Sequence, residues 1–457
     1  MLSEKLDAMN ILIAGDGDLA LHMAELLAKE KHSVSLICPD KELVKVIDSH
    51  TDLMTFIGKS TNIQMLKEVS VKKMDLVICL HLDGPANLLT AMLCKKLGAK
   101  KCIAKVHDIE TASEAFRPIY NGLGIDHLVS PEKIITNEIF NVLNNTGAAE
   151  MFSFSEDLLY LVLVKLESTA PVIGKSLKEI ALENPGLDFR TVAIHRGTKT
   201  FIPKGDNTFK ENDLAYVVSK PEGFEKLLEL SGKKPFVVKS VMIAGGGKVG
   251  ELAASMLEKK FNVTIFDIDA ARCIELSEKL EDTLVINGDA RNVTLLEDER
   301  ITKADALVAV TSNSETNILT CLLAKKYGVK KTIALVENLD FIEIAMNSGI
   351  GTVINKKLAA ASYITRFTMS AKVQSTKCLT NTDAEVFEFI AQAKSPVTKK
   401  SIRKLRLSDK AIIGGFIRDG VGYISKGDLK IEPGDKVVVF SLPQAFHLVD
   451  KMFIGKE

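Results

Sequence analysis

A segment near the start of this chain returns 230 residues later, and that repetition limits the possible folds more than any other feature, because both copies must share one architecture. Ile13-Ala14-Gly15-x-Gly17 recurs as Ile243-Ala244-Gly245-x-Gly247. Asp75 returns as Asp305, Asn87 as Asn317, Lys95-Lys96-x-Gly98 as Lys325-Lys326-x-Gly328, and Ile103-Ala104 as Ile333-Ala334. Further on the spacing drops to 222, with Lys204-Gly205-Asp206 and Asp213 matching Lys426-Gly427-Asp428 and Asp435. At roughly 150 residues per domain, 457 residues suggest three units. The repeat replaces them with two copies of a two-part module.

Each copy opens with strands and helices in alternation, which implies a parallel sheet flanked by helices. In the second copy, strands are predicted from Val241 to Ala244, Val263 to Phe266, Leu284 to Ile286, Ala306 to Val310 and Thr332 to Val336. Helical apolar spacing runs from Gly250 to Lys260, Asn317 to Tyr327 and Ile342 to Asn347. Each copy then turns to shorter strands, at Leu158 to Leu166, Thr191 to His195 and Leu214 to Ser219 in the first. The fold class is α/β: two tandem Rossmann-type doubly wound parallel sheets, each followed by a small α+β regulatory subdomain. The expected boundaries are 9–130 and 239–355 for the Rossmann units, 131–149 and 356–380 for connecting helices, and 150–232 and 381–457 for the small subdomains.

Composition excludes several roles. Fifty-nine basic and 59 acidic residues cancel, so no chain-wide field draws in nucleic acid or anionic lipid. The longest apolar run, Leu158 to Val164, is far shorter than the roughly 20 residues of a membrane span. Met1 to Met9 carries acids and no apolar signal core, so a cytosolic location without direct membrane insertion is expected. Seven cysteines, with no Cys-x-x-Cys, read as reduced thiols and not as a zinc site.

Gly245-Gly246-Gly247-Lys248-Val249-Gly250 follows an apolar strand and opens a helix. In that context Gly245 permits a tight turn, Gly247 lets the backbone approach a pyrophosphate, and Gly250 brings the helix close to the strand. Asp267, 22 residues after Gly245, stands where a carboxylate accepts from ribose hydroxyls. Asp289 and Ala290, past the third strand, and Thr311 with Ser312, past the fourth, are expected along the same crevice.

The first copy departs from this pattern. Its loop reads Gly15-Asp16-Gly17-Asp18-Leu19-Ala20, placing two carboxylates where a pyrophosphate would lie. Cys38 replaces the ribose-binding acid, and Gly58-Lys59-Ser60 replaces Gly288-Asp289-Ala290. Weakened, altered or absent nucleotide binding is expected there; a purely structural role and a second working site both remain open. Gly58-Lys59-Ser60 and Gly174-Lys175-Ser176 are not Walker loops, because Leu53 and Thr169 stand where a glycine is required. Tyr327 and Lys331 have the spacing of a dehydrogenase pair, but Gly328 ends the helix between them. No histidine occurs between His195 and His447, so the better loop lacks the usual acid–base partner of a nicotinamide enzyme. Sensing fits such a site better than turnover.

Taken in order, the glycine loop from Ile243 to Gly250, Phe266-Asp267, Asn287-Gly288-Asp289-Ala290, Ala309-Val310-Thr311-Ser312 with Glu315 and Asn317, and Ile333-Ala334 form a specific set. The chain resembles, over essentially its whole length, the tandem regulator-of-potassium-conductance (RCK) proteins that serve Trk-type potassium uptake. The resemblance implies a non-enzymatic regulatory subunit, peripheral on the cytoplasmic face of the cell membrane. It further implies a homotetrameric ring that gates a Trk-type integral membrane potassium transporter in response to NAD(H), ATP or ADP. By matching positions, Gly245 to Val249 contact phosphates, Asp267 the ribose, and Thr311 with Ser312 the rest of the dinucleotide. The first-copy positions are Gly15 to Leu19, Cys38, His81 with Leu82, and Lys105. Lys105 approximates the arginine that the family places after Ile-Ala in the fifth strand, whereas Leu335 stands there in the second copy. An NAD-dependent oxidoreductase and a regulator of a cation/proton antiporter are the alternative readings.

Overall fold

In the computed structural model of the protein the described residues are 8–50, 53–107, 111, 113, 115–148, 150–155, 157–369, 371–379, 382, 384–405, 407 and 409–455. The first six strands are β1 (Asn10–Ala14), β2 (Ser33–Cys38), β3 (Met54–Ile57), β4 (Leu76–Cys79), β5 (Lys101–Lys105) and β6 (His127–Val129), paired in parallel in the order β3-β2-β1-β4-β5-β6. β1 and β4 are almost wholly apolar because helices cover both faces of the sheet, so alternation of polar and apolar residues is lost. Strand order reverses between β1 and β4, which opens a crevice at their carboxyl ends.

An antiparallel sheet follows, built from β7 (Glu150–Phe154), β8 (Leu159–Lys165), β9 (Phe189–Arg196), β10 (Lys199–Phe201) and β11 (Leu214–Ser219) in the order β10-β9-β11-β8-β7. The second parallel sheet contains β12 (Ser240–Ala244), β13 (Asn262–Asp267), β14 (Thr283–Asn287), β15 (Ala306–Ala309), β16 (Lys331–Leu335) and β17 (Thr352–Ile354), ordered β14-β13-β12-β15-β16-β17 as in the first. β18 (Val373–Cys378), β19 (Glu385–Ile390), β20 (Ala411–Arg418), β21 (Val421–Ile424) and β22 (Lys436–Ser441) form the second antiparallel sheet. The doubled Rossmann-plus-small-sheet architecture expected from the repeat is therefore present.

Differences from the expected elements have local causes. The helix after β12 begins at Lys248 and not Gly250, because Gly247 is extended and caps it, and it ends at Leu257. The helix Lys356–Thr365 stops short of the expected span. The sixth strand β17 and the helix Ala270–Lys279 were not anticipated; β17 is three residues long and carries too little pattern to read.

The 222-residue spacing has a structural explanation. Arg196 forks onto Asp213 at 2.6 Å through both Nε and Nη2, and Arg418 onto Asp435 at 2.8 and 2.7 Å. Both aspartates are buried, and each pair fastens the corresponding strands of its small sheet. Phe154, Leu161 and Tyr216 of the first small sheet share one core with Val386, Val438 and Phe440 of the second. Glycine is required where β20 approaches: a Cβ on Gly414 would lie 2.5 Å from Val218 Cγ2.

The chain divides into two compact units, residues 1–134 with 359–370, and 135–358 with 371–457. The connecting segments are thereby exchanged, each grouped with the Rossmann sheet of the other copy. Within the second unit, Lys260 Nζ donates to Asn144 Oδ1 at 2.6 Å and Lys331 Nζ to the Ala148 carbonyl at 2.6 Å. Burial pulls the Lys331 ammonium down to about 7. Within the first unit, the Phe367 ring lies 4.1 Å from the His127 ring. Among the described residues no helix is long and apolar enough to cross a membrane, no acidic, histidine or cysteine cluster could hold a metal ion, and all seven cysteines are buried outside any disulfide.

Candidate functional site

In the second copy the glycine loop joins β12 to the helix Lys248–Leu257 across the carboxyl end of the sheet. Gly245 has φ +109°, a conformation that side chains resist, and a Cβ there would lie 2.8 Å from the Thr311 nitrogen. A Cβ on Gly250 would lie 1.9 Å from the Gly245 carbonyl oxygen, so helix and loop approach as closely as backbones can. Gly247 is exposed, and nothing lies within 4 Å of its Cβ position. The first-turn N–H groups, which have no helical acceptors, thus border open space at the positive end of the helix. Asp267, at the end of β13, accepts from the Gly246 N–H at 2.6 Å and from the Asp269 N–H at 2.9 Å. Its carboxylate is thereby fixed beside the loop with further lone pairs to offer.

Charge around this loop is arranged by Lys248 together with three residues the sequence did not single out, Arg272, Glu251 and Lys279. Arg272 Nε donates to the Gly246 carbonyl at 2.8 Å, and its Nη2 pairs with Glu251 at 2.5 Å. Lys279 lies 3.3 Å and Lys248 3.8 Å from the same carboxylate. Burial pushes the Glu251 carboxyl up, but Arg272 and the two lysines outweigh it and hold the group below its ordinary range. Thr311 is clamped through its N–H and hydroxyl on Asn317 Oδ1, at 2.9 and 2.7 Å, while Ser312 is exposed. Asp289 is paired with Arg291 at 2.7 Å, which holds its carboxyl below the usual range. Val249 and Ala290 have buried side chains and offer only backbone. Tyr327 donates to Glu297 at 2.8 Å while Lys331 is held on Ala148, so the dehydrogenase-like pair does not exist as a unit.

The first copy has the same frame and a different mouth. Asp16 accepts from the Leu82 N–H at 2.7 Å, and its other oxygen lies 3.3 Å from His81 Nδ1. His81 Nε2 and Ser60 Oγ share a hydrogen bond at 2.7 Å, and Ser60 continues to Thr90 at 2.8 Å. His81 and Ser60 are buried, so both ring nitrogens of the histidine are engaged inside the protein. Leu82 lies over the loop: a Cβ on Gly17 would be 3.3 Å from its Cδ2, where the matching space at Gly247 is open. Cys38 is fully buried, which pushes its thiol up. Lys105 is buried at the end of β5, with Leu19 half-buried and Asp18 exposed at the loop.

Comparison with known proteins finds two kinds of domain, each matched twice. The TrkA-N domain matches residues 11–131 and again 241–356, and the TrkA-C domain 161–232 and again 386–454. The chain belongs to the TrkA family. Among its relatives, Trk system potassium uptake protein TrkA homolog 1 of Methanosarcina mazei is 29% identical, over 97% of this chain and 100% of that protein. A crystal structure of the GsuK RCK domain superposes with a TM-score of 0.61 at 16% identity, over 99% of this chain and 96% of that one. The GsuK channel bound to NAD superposes with a TM-score of 0.61 at 16% identity, over 99% and 80%.

Each TrkA-N domain also contains a buried asparagine that the repeat had marked without a role. Asn317 Nδ2 donates to the carbonyls of Thr311 and Leu335 at 3.0 and 2.8 Å; Asn87 does the same for His81 and Lys105, both at 3.0 Å. Each amide ties the ends of the fourth and fifth strands together and so sets the width of the crevice. Arg272 could not be found by spacing, because its target is a backbone carbonyl.

Proposed function

We propose that this chain is the nucleotide-binding regulatory subunit of a Trk-type potassium uptake system, with its principal NAD(H) site in the second TrkA-N domain. The observation that carries the reading is the open space above Gly247 beside the fixed Asp267 carboxylate. Gly245 to Val249 would hold the pyrophosphate, Asp267 the ribose, and Thr311 with Ser312 and Asp289 would border the remainder; ATP or ADP would compete for the same cradle. The first TrkA-N domain, with Asp16, His81 and Leu82 drawn into its own loop, binds nucleotide weakly or not at all. No turnover is proposed. A nucleotide acts by its differential affinity for two packings of the Rossmann units, and the connecting segments carry the difference to a potassium-conducting membrane partner. The chain would lie on the cytoplasmic face of the membrane as a homotetrameric ring. Leu89 and its repeat counterpart Leu319, 46% and 60% exposed on equivalent helices, are apolar surface available to such an assembly.

The test is potassium uptake in cells lacking this chain, with and without its restoration. Restored uptake, lost again with Asp267→Ala, is expected. Uptake that is the same with and without the chain would refute the role, and NADH oxidation coupled to a carbonyl substrate would replace it with catalysis.

A further inference from the structure

The two TrkA-C domains differ in charge at one matching place. Pro171-Val172-x-x-Lys175-Ser176 of the first returns as Pro396-Val397-x-x-Lys400-Ser401 of the second. In the first, the Ser176 N–H and hydroxyl each donate to Glu179 at 2.7 Å, closing a capping box from which the helix Leu177–Glu183 starts. Lys404 stands at the place of Glu179 and cannot accept, so the second copy makes a single 3₁₀ turn, Ile402–Lys404, instead of the helix. Four acidic and two basic residues lie between 167 and 188, against one acidic and seven basic between 392 and 410.

The fold gathers these cations. Ser401 forms an antiparallel bridge with Lys430, and the N–H groups of Ile402 and Arg403 donate to the Leu429 and Gly427 carbonyls at 2.9 and 2.8 Å. Lys399, Lys400, Arg403 and Lys404 on one segment therefore share a surface with Lys426 and Lys430 on the other, and all six are exposed. Asp428 lies 3.3 Å from Arg403; among the described residues no carboxylate pairs with the five lysines. Arg418 carries the surface on to β21, donating to the Lys430 carbonyl at 2.9 Å and lying 5.1 Å from the Phe416 ring, on which Tyr423 stacks. Val421 and Tyr423 are exposed, whereas Gly422 between them faces the first small subdomain, where a Cβ would meet the Leu158 carbonyl oxygen at 2.5 Å. The surface is thus turned away from the core that the small sheets share. Beneath it, strand register sets Phe389 beside Val437, where the first copy has Val164 beside Ala215. Phe389 stacks at 4.4 Å on Phe453, whose helix packs against the turn Pro396–Thr398, so the cations stand on a filled core.

On the reading that places the chain at the cytoplasmic face of a membrane, we propose that this face of the second TrkA-C domain binds the anionic headgroups of the lipid bilayer. Five lysines without counter-charges repel one another and are relieved by a surface that carries many negative charges. A leaflet containing acidic lipid is such a surface, and an exposed tyrosine with a valine beside it suits the headgroup boundary. The balanced charge of the whole chain is no obstacle, because at physiological salt a local field acts within roughly 8 Å. A single-stranded nucleic acid suits the face less: the segment 392–410 contains no aromatic residue and Tyr423 is already stacked on Phe416, so successive bases would find no rings.

Sedimentation of the full chain with vesicles tests this, using phosphatidylcholine alone and an equimolar mixture of phosphatidylcholine and phosphatidylglycerol. Saturable binding to the mixture and none to phosphatidylcholine alone is expected, weakening as salt is added. Each neutralised lysine should weaken it about fivefold, so the triple variant Lys399→Gln, Lys400→Gln, Lys404→Gln should lose about a hundredfold. Lys178→Gln, at the place of Arg403 in the first copy, should leave binding unchanged. Melting temperature and NADH affinity should be unaltered in both variants. Absence of binding to the mixed vesicles, binding indifferent to the triple variant, or a mixed-sequence RNA oligonucleotide held more tightly than the mixed vesicles would overturn the proposal. No potassium-conducting partner is needed for this measurement. Restored potassium uptake without vesicle binding would therefore remove the lipid surface alone, and vesicle binding without restored uptake would remove the regulatory role alone.

Discussion

At the mouth of the second parallel sheet stand Lys248, Arg272 and Asp267; at the equivalent places of the first stand Asp18, Leu43 and Cys38. Around both mouths the frame is unchanged: the same strand order and the same asparagine clamp. The two regions have thus kept what sets the geometry of a crevice and parted in what an anion would meet inside it. In the second, cations surround the loop and its centre is open. In the first, the carboxylate of Asp16 is spent on Leu82 and His81, and Leu82 covers Gly17. A scaffold and its ligand chemistry are therefore held by separate residues, and one can be lost while the other persists.

The contrast is broken most severely at the third loop position. Gly250→Ala places a methyl against the Gly245 carbonyl and is expected to cost about 1–3 kcal/mol of stability and to eliminate NADH binding. Ala20→Gly, its mirror in the first copy, should change stability by no more than about 1 kcal/mol. Thermal melts and calorimetry on both variants check the pair; retained NADH affinity in Gly250→Ala would mean the loop does not hold the ligand. Next, Asp267→Ala removes charge-assisted hydrogen bonds worth about 1.5–3 kcal/mol, a loss of roughly tenfold to a hundredfold in NADH affinity. Cys38→Ala should leave that affinity unaltered, and equal losses would place the main site elsewhere.

The smallest effect concerns acid. His127 packs on Phe367 in the first unit, whereas Thr352 is its counterpart in the second copy. Burial, reinforced by Arg366, Lys101 and Arg117, pushes the His127 imidazole down to about 4. Between its ordinary value near 6.5 and that value, the unfolded chain binds a proton that the folded chain does not. Stability contributed here is complete above about pH 6.5 and lost as pH falls toward 4. His127→Gln should flatten that part of a melting-temperature profile by a few degrees; an unchanged profile would remove His127 as its source.

Much of the fold was readable because the repeat reports it twice. Gly245, Gly247 and Gly250 were readable because steric demands on glycine are local to a strand-to-helix turn. Asp267 was readable because its distance from the loop is fixed by one strand and one helix. Arg272 was not, since a long side chain on a main-chain carbonyl leaves no pattern in sequence. The turning of Asp16 toward His81 depends on which neighbours surround a carboxylate, and the stack of Phe389 on Phe453 is visible only once strand registers align the copies. The exchange of connecting segments also escaped, because an amphipathic helix shows that it has an apolar face but not which copy will cover it.

That exchange bears on how such a chain can be divided. A cut near residue 235 would leave each half with a connecting helix whose packing surface is on the other half, and would split the core shared by the small sheets. A single copy built this way would have to pair with a second copy to bury its own helix, as in a domain-swapped dimer. Joining the copies in one chain turns that encounter into an intramolecular step, at an effective concentration on the order of millimolar. The linker between the copies therefore acts as a tether that makes pairing independent of how much protein the cell contains.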